Sequence, residues 1–429
     1  MIPLSQHIGA PCKAIVSKGD HVKVGQMIGE PVGPMSAAVH ASVSGTVVAV
    51  QPCILANGTE QNAVIIDNDF ADEWEELHPV ENPDNMTLAE LCDICRQKGI
   101  VGMGGATFPT AVKLNIKPEQ NVDTLVINGV ECEPYLSADH RLMLEHAEEI
   151  LKGVWLIQKA IRAEKTLIGI EENKPDAIAL MSEKCAEYPS IKVVPLKVQY
   201  PQGGEKQLIY ALTGRKVPMG GLPLNVGTVV SNVATCHAIC RAVYEGRPVI
   251  DRVLTMGGSV NEPANYLARI GSPVEWFIDT SKGLKPETKF LLSGGPMMGM
   301  PLSRVDIPIT KGTSGILALE TTDCLQPESA CIRCGRCVEA CPMRLMPMQI
   351  DRFMRKDMFA EAEAANVLNC IECGACSWSC PAKRNLTQSM RVCKNIVTKR
   401  RKEAAAKAKA EAEAAKAKAA AEAAAKEVQ

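Results

Sequence analysis

Short β-branched runs broken by glycine dominate the first seventy residues. Lys13-Ala14-Ile15-Val16, Val22-Lys23-Val24, Thr46-Val47-Val48-Ala49-Val50 and Ala63-Val64-Ile65-Ile66 are separated by turn signals at Lys18-Gly19-Asp20, Ser44-Gly45 and Asn57-Gly58. The pattern predicts a small all-β module over 1–70. Residues 71–86 are acidic and polar, carry Pro79 and Pro83, and read as a linker. From residue 87 the period changes. Leu88 to Lys98 has helical spacing, with Thr87 and Glu90 placed as a capping box. Thr124–Ile127, Thr166–Ile170 and Lys192–Leu196 read as buried strands, alternating with helices over Arg141–Ile161 and Pro175–Ala186. A βαβα order argues for an α/β layer with a mainly parallel sheet. Arg252–Lys285 returns to short strands, and a helix is expected near Ile350–Leu368. Residues 403–427 are only Ala, Lys and Glu; without an apolar stripe beyond alanine they predict a solvated, fraying helix.

Composition changes this picture at one point. The 429 residues suggest two to four domains at roughly 100–200 residues each. A net charge of -2 gives no general pull toward nucleic acid or anionic lipid. No apolar run approaches the ~18 residues that span a bilayer, and the first residues lack the basic start and apolar core of a secretory signal. The 18 cysteines stand out because eight of them fall within positions 331–380. Such clustering without an export signal points to metal ligation in a reducing compartment.

Two runs share one template, C-x₂-C-x₂-C-x₃-C-P: Cys331, Cys334, Cys337, Cys341-Pro342, and Cys370, Cys373, Cys376, Cys380-Pro381. Three thiolates at this spacing wrap one face of a 4Fe–4S cube, and the fourth reaches the other cluster in two-cluster ferredoxins. The expected sets are therefore Cys331, Cys334, Cys337 with Cys380, and Cys370, Cys373, Cys376 with Cys341. Gly335 and Gly374 allow backbone amides close to the inorganic sulfides. Zinc is the competing reading, but zinc sites pair their ligands and often use histidine. The remaining cysteines are read as small buried hydrophobes, including Cys92 and Cys95 inside the first helix and Cys324 and Cys393 flanking the cluster region.

The loop Gly102-Met103-Gly104-Gly105-Ala106-Thr107-Phe108-Pro109-Thr110 precedes Lys113. Glycines allow close approach to an anion, and a lysine can neutralise a phosphate. Alone this is a weak signal, without Walker or Rossmann spacing. Three further segments accompany it: Asn128-Gly129-Val130-Glu131-Cys132-Glu133-Pro134-Tyr135, Tyr200-Pro201-Gln202-Gly203-Gly204-Glu205-Lys206, and Val230-Ser231-Asn232-Val233-Ala234-Thr235.

Together these segments resemble the flavin-bearing, NADH-oxidising subunit of respiratory complex I. The N-terminal series VSKGDHVKVGQMIGE and VHASVSGTVVAV resembles a biotinyl/lipoyl carrier domain, with Gly33–Ala37 in place of the lysine-bearing hairpin. Gly258-Ser259-Val260-Asn261-Glu262-Pro263 resembles the turn of a soluble-ligand-binding β-grasp (SLBB-type) domain. The order of these parts, ending in two cluster motifs, is similar to the RnfC family of Rnf electron transport complexes over roughly residues 1–400. Complex I relatives differ in carrying an acid at Val130, a serine at Cys132 and a single cluster, and typical RnfC proteins add an N-terminal stretch without a counterpart here.

The resemblance implies a multidomain α/β and β fold. A barrel-sandwich module would cover 1–70, an FMN- and NADH-binding α/β domain 87–248, the β-grasp domain 249–318, an α-helical ferredoxin-like domain with two 4Fe–4S clusters 319–400, and a tail 401–429. It implies that Gly102, Gly104, Gly105 and Lys113 hold the FMN phosphate and ribityl chain. Asn128, Glu131 and Cys132 would line the flavin, and Tyr200, Gly203, Gly204 and Glu205 would face them. Ser231, Asn232 and Thr235 would close the site. Phe108 would stack on NADH and Glu133 would bond the nucleotide, with Glu205 and Glu131 as the catalytic carboxylates. The implied role is that of a peripheral subunit on the cytoplasmic face of the cell membrane, exchanging hydride between NAD(H) and non-covalent FMN and relaying single electrons through two clusters. Its partners would be NAD(H) and the other Rnf membrane subunits, including an iron–sulfur subunit that meets ferredoxin, in an ion-translocating complex. A flavin–iron–sulfur subunit of a soluble hydrogenase or formate dehydrogenase, and a non-catalytic iron–sulfur adaptor, are the alternatives.

Overall fold

Alternation along Gly45–Ile54 and Glu60–Asn68 buries one face of a long antiparallel hairpin. In the computed structural model, which describes residues 1–117, 119–321 and 326–427, this hairpin joins Ile2–Pro3 and His21–Val22 in one sheet. A second sheet of Lys13–Ala14, Met27–Glu30 and Val39–His40 faces it across Ile2, Leu4, Val22, Ile28, Val47 and Val64. The segment in place of a carrier hairpin is pinned. Ser36 and Ala37 are fully buried, and the Ala37 amide donates to His7 Nε2 at 3.2 Å. The Ala38 amide donates to the carbonyl of Arg96 at 2.9 Å. A swinging arm is therefore incompatible with this loop as well as with its sequence.

The α/β region opens as expected. Thr87 and Glu90 form a reciprocal capping box on helix Leu88–Gln97. Four parallel strands follow in the order Ile191–Leu196, Lys165–Glu171, Thr124–Asn128, Thr228–Asn232. The single helix expected over Arg141–Ile161 is instead two, Ala138–Glu145 and Ala147–Ile161. His146 breaks them with φ -132°, and its ring packs against that of His237 at 4.7 Å.

A five-stranded mixed sheet comes next, in the order Ala264–Arg269, Asp251–Gly258, Gly315–Leu319, Phe290–Ser293, Met300–Pro301. Helix Val274–Thr280 covers it, burying Phe277 against Leu254, Met256 and Ile316. These three modules make one compact unit, Met1–Thr322. Lys311 ties them at the centre. Its side chain is buried, and Nζ donates to the carbonyls of Ala38 at 2.7 Å and Gly99 at 2.6 Å.

Burial pulls the Lys311 ammonium down to about 8 from 10.5. His7 and His40, which face it, are held neutral by the same burial. A lysine whose folded value is depressed is protonated more readily in the unfolded chain, so its contribution grows as pH rises from about 8 toward 10.5. Wild-type protein is expected to gain thermal stability over that window relative to Lys311→Met, by a span on the order of 3 kcal/mol. Calorimetric scans of both proteins from pH 7 to 10.5 test this; parallel profiles would refute it.

The described residues of the second unit, Asp323–Gln429, form helices joined by loops. The helix expected near Ile350–Leu368 is interrupted: Pro347–Met354 and Phe359–Ala364 are separated by Asp357 at φ 55°, and a short 3₁₀ turn occupies Val367–Asn369. They pack on the long helix Leu386–Glu427 through Ile350, Phe359, Ala362, Met390, Cys393 and Val397. Cys393 is a core residue; Cys324 lies outside the described residues. The Ala/Lys/Glu tail continues this helix, with exposed side chains through residue 413.

Candidate redox sites

Strand order decides where the α/β layer can bind a ligand. Thr124–Asn128 is first in sequence, the next two strands add on one side, and Thr228–Asn232 adds on the other. The sheet switches direction between Thr124–Asn128 and Thr228–Asn232, and in open α/β sheets the crevice lies beyond the carboxyl ends of such strands. Asn128 and Asn232 end them, paired in register. Asn128 Nδ2 donates to the carbonyl of Gly203 at 2.9 Å, and its Oδ1 accepts from the Val130 amide at 3.1 Å. Asn232 Oδ1 caps helix Val233–Tyr244 through the Ala234 amide, and its Nδ2 donates to Asp139 Oδ2 at 2.7 Å.

The glycine loop closes over the same edge. Phe108 and Thr107 tie back to Gly102, and Thr235 Oγ1 accepts from the Met103 amide at 3.0 Å. Gly104 lies so near Asn232 that a Cβ there would sit 3.5 Å from that side chain. Gly105 has φ +105° and open space above it, a conformation that favours glycine. The half-buried Phe108 stands at the loop's end.

Lys113 reaches this edge from helix Thr110–Leu114. Its Nζ pairs with Glu205 Oε1 at 2.9 Å and donates to the Val230 carbonyl at 3.1 Å. Glu205 is the first residue of helix Glu205–Thr213, directly after Gly203-Gly204. The Gly203 amide donates to Cys132 Sγ at 3.4 Å. The four segments expected to converge therefore do so. Two of their residues serve packing: Ser231 is buried and accepts from the Cys236 thiol, and Thr235 is spent on the glycine loop. Glu133 is also engaged, accepting the amides of Met297 and Met298 at 3.0 Å each and the Tyr200 hydroxyl at 3.4 Å.

A charged network behind the loop was not legible in the sequence. Glu131, at φ +49°, accepts the amides of Asp139 and His140 at 2.8 and 2.9 Å, at the start of helix Ala138–Glu145. Burial, then the neighbouring Asp139, raises Glu131 to about 8, and burial raises Asp139 too. Buried Arg252 faces both acids; burial lowers its guanidinium to about 10. Lys174 and Glu171 form a buried ion pair at 3.5 Å, and Lys174 Nζ donates to the Val130 carbonyl at 2.9 Å. Glu171 ends its strand at the ligand edge, the one signal that could have flagged it.

In the helical unit, Cys331, Cys334, Cys337 and Cys380 line one recess with Gly335, Met348 and Arg384. Cys370, Cys373 and Cys341 lie around Cys376, and burial raises the Cys376 thiol to about 12. The two motifs are built alike. Gly335 and Gly374 share φ 81° before the short helices Arg336–Glu339 and Ala375–Trp378, and Arg333 and Glu372 share φ 57°. Donors reach the second set: the Leu345 amide to Cys341 and the Glu372 amide to Cys370, each at 3.4 Å, and Thr387 Oγ1 lies 3.6 Å from Cys376. Four thiols facing one recess, with amides and a hydroxyl on the other set, suit cubane clusters.

Comparison with known proteins decides the family. A model of the RnfC barrel sandwich hybrid domain matches residues 1–71, the Nuo51 FMN-binding domain matches 95–241, and a 4Fe–4S dicluster domain matches 325–413. The C component of the proton-translocating ferredoxin:NAD(+) oxidoreductase complex of Clostridium ljungdahlii is 50% identical over 92% of this chain and 87% of that protein. The chain belongs to the RnfC family. The Na(+)-translocating counterpart from Acetobacterium woodii is 46% identical over 94% of the chain and 92% of its own length. An NAD+-reducing [NiFe]-hydrogenase in the air-oxidized state shares the fold at a TM-score of 0.50, with 19% identity over 67% of this chain and 57% of that one. As a member of the RnfC family, the chain is an oxidoreductase subunit with an FMN-binding domain and a dicluster domain, and FMN and two 4Fe–4S clusters are its cofactors.

Proposed function

We propose that this chain handles NAD(H) and relays electrons in a membrane-associated, ion-translocating ferredoxin:NAD+ oxidoreductase. The observation that carries the reading is the convergence of the glycine loop, Asn128, Asn232, Lys113 and Glu205 on one strand-switch edge of a chain that also bears two crossed cysteine sets. FMN supplies the conversion between two-electron nicotinamide chemistry and one-electron cluster chemistry. The Gly102–Gly105 loop and Lys113 would take its phosphate and ribityl chain. Asn128, Asn232, Glu131, Cys132, Tyr200, Gly203 and Gly204 would position its ring, with Ser231 and Thr235 bracing the walls. Burial, then Asp139, pushes the Glu131 carboxyl well above the usual carboxylate range, while its two oxygens are held by the Asp139 and His140 amides. Phe108 would stack on the nicotinamide nucleotide. Glu133, held in place by the Met297 and Met298 amides, would bond the nucleotide with its remaining acceptor capacity. Among the described residues no helix is long and apolar enough to cross a membrane. The reading gives ion passage to other Rnf subunits and places this chain peripherally, on the cytoplasmic face.

Protein purified anaerobically is expected to hold one FMN and about eight irons and eight sulfides, and its flavin is expected to bleach with NADH. Clusters without flavin would favour the adaptor role; stoichiometric zinc without iron would remove the electron relay. A native complex built around a hydrogenase or formate dehydrogenase subunit would move the flavin and clusters to that context.

A further inference from the structure

The two cysteine motifs repeat each other's backbone, so their differences mark a difference in use. Position by position, Arg333 stands where the second motif has Glu372, and Arg336 where it has Ala375. Glu372 is locked by Arg391 at 3.0 Å and by Lys394. Arg333 and Arg336 are exposed, and among the described residues neither pairs with a carboxylate. Ile332 is 66% exposed, whereas its counterpart Ile371 is half-buried. Each set buries two thiols, Cys337 and Cys380 in the first and Cys373 and Cys376 in the second. The sets differ in the other pair: Cys331 and Cys334 are exposed, Cys341 and Cys370 half-buried.

The geometry points to the Cys331–Cys334–Cys337–Cys380 recess as the electron port of this chain, with Ile332, Arg333 and Arg336 as a docking collar for a one-electron redox protein that presents an acidic face. This rests on the cluster assignment proposed above. The collar has the composition of a redox encounter surface: a small apolar centre at the site of transfer, and like charges that steer rather than bind tightly. Such interfaces are small, under about 1,200 Å². Exposed charges at their rim act on the association rate and its salt dependence more than on final affinity. Glu339, exposed on the same short helix, is the one nearby acid of that motif. The step itself is simple. One electron leaves the four-iron centre of this chain and reduces the partner's one-electron centre, or the reverse; no bond forms or breaks and no proton is required. The second set of cysteines, with no exposed thiol and with amide and hydroxyl partners, then serves transfer inside the chain.

The test uses the full chain loaded with FMN and both clusters, and membranes stripped of this chain but retaining the other subunits. R333E/R336E is compared with wild type and with K399E/K402E, which makes the same charge change on the exposed C-terminal helix. R333E/R336E is expected to slow rebinding at low salt about tenfold or more and to flatten the salt dependence. K399E/K402E is expected to rebind like wild type. Both cluster signals by EPR and NADH bleaching of the flavin stay in place. If charge reversal costs a cluster, R333Q/R336Q carries the same comparison with half the change. Equal losses in the two reversed variants, or wild-type rebinding by R333E/R336E, would overturn the docking collar. So would unchanged rebinding with slowed transfer from flavin to clusters, because the recess would then face the chain's own flavin. Failure of the underlying assignment looks different: wild-type protein itself would lack two four-iron signals.

Discussion

Cys341→Ser is expected to abolish or convert the cluster held by Cys370, Cys373 and Cys376, and to spare the one held by its sequence neighbours. Sequence proximity would predict the reverse. The physical reason is that a C-x₂-C-x₂-C turn wraps one face of a cube, and the short helix that follows carries the fourth cysteine away from it. Here Arg336–Glu339 and Ala375–Trp378 are those helices, each running from the third thiol toward the fourth. Cys380 accordingly lines the recess of Cys331, Cys334 and Cys337, and Cys341 lies among the neighbours of Cys376. Loss of one thiolate from four leaves a three-iron or absent centre, so the effect is close to all-or-none for one EPR signal. Cys380→Ser makes the mirror-image change. If Cys341→Ser and Cys331→Ser remove the same signal, the sets are not crossed.

The second large effect concerns Lys113. Lys113→Ala is expected to keep the fold and both clusters while holding FMN weakly or not at all. FMN carries a phosphate near −2, and the glycine loop offers amides but no full positive charge. Loss of a charge-assisted contact costs about 1.5–3 kcal/mol, roughly tenfold to over a hundredfold in affinity. The ion pair with Glu205 sharpens the expectation. Removing Lys113 also leaves the Glu205 carboxylate uncompensated close to an incoming anion. Lys113→Ala/Glu205→Gln should therefore recover part of the affinity lost by Lys113→Ala. Glu205→Gln alone frees Lys113, keeps FMN and slows bleaching by NADH. Flavin fluorescence titrations and stopped-flow bleaching read these outcomes. Full FMN retention by Lys113→Ala, with wild-type bleaching in Glu205→Gln, would place the phosphate elsewhere.

Local chemistry was legible in the amino-acid sequence wherever a few neighbouring residues suffice to express it. The cysteine spacing identifies its ligand geometry because three thiolates of one turn act together. Thr87 and Glu90 cap their helix from three residues apart, and the absence of a lysine at Gly33–Ala37 already argued against a carrier arm. The four flavin segments were found by resemblance, since glycine, asparagine and glutamate in loops have no chemistry of their own until they meet.

Tertiary structure decided everything that depends on strand order and burial. The site lies at Asn128 and Asn232 because the fourth strand pairs back beside the first, which no local pattern encodes. Lys113 and Glu205 are 92 residues apart, yet their charges meet. Glu133 is tied to the neighbouring module by two amides that the sequence does not reveal. Glu131 is an ordinary acid until burial and Asp139 push its carboxyl above the usual range. The break at His146, whose ring lies 4.7 Å from that of His237, is not registered by side-chain periodicity. Sequence determined which groups are available, because donor chemistry and short-range geometry are properties of neighbouring residues. Only the folded chain determined which of them remain free for a cofactor, because desolvation and long-range partners exist only once the modules pack.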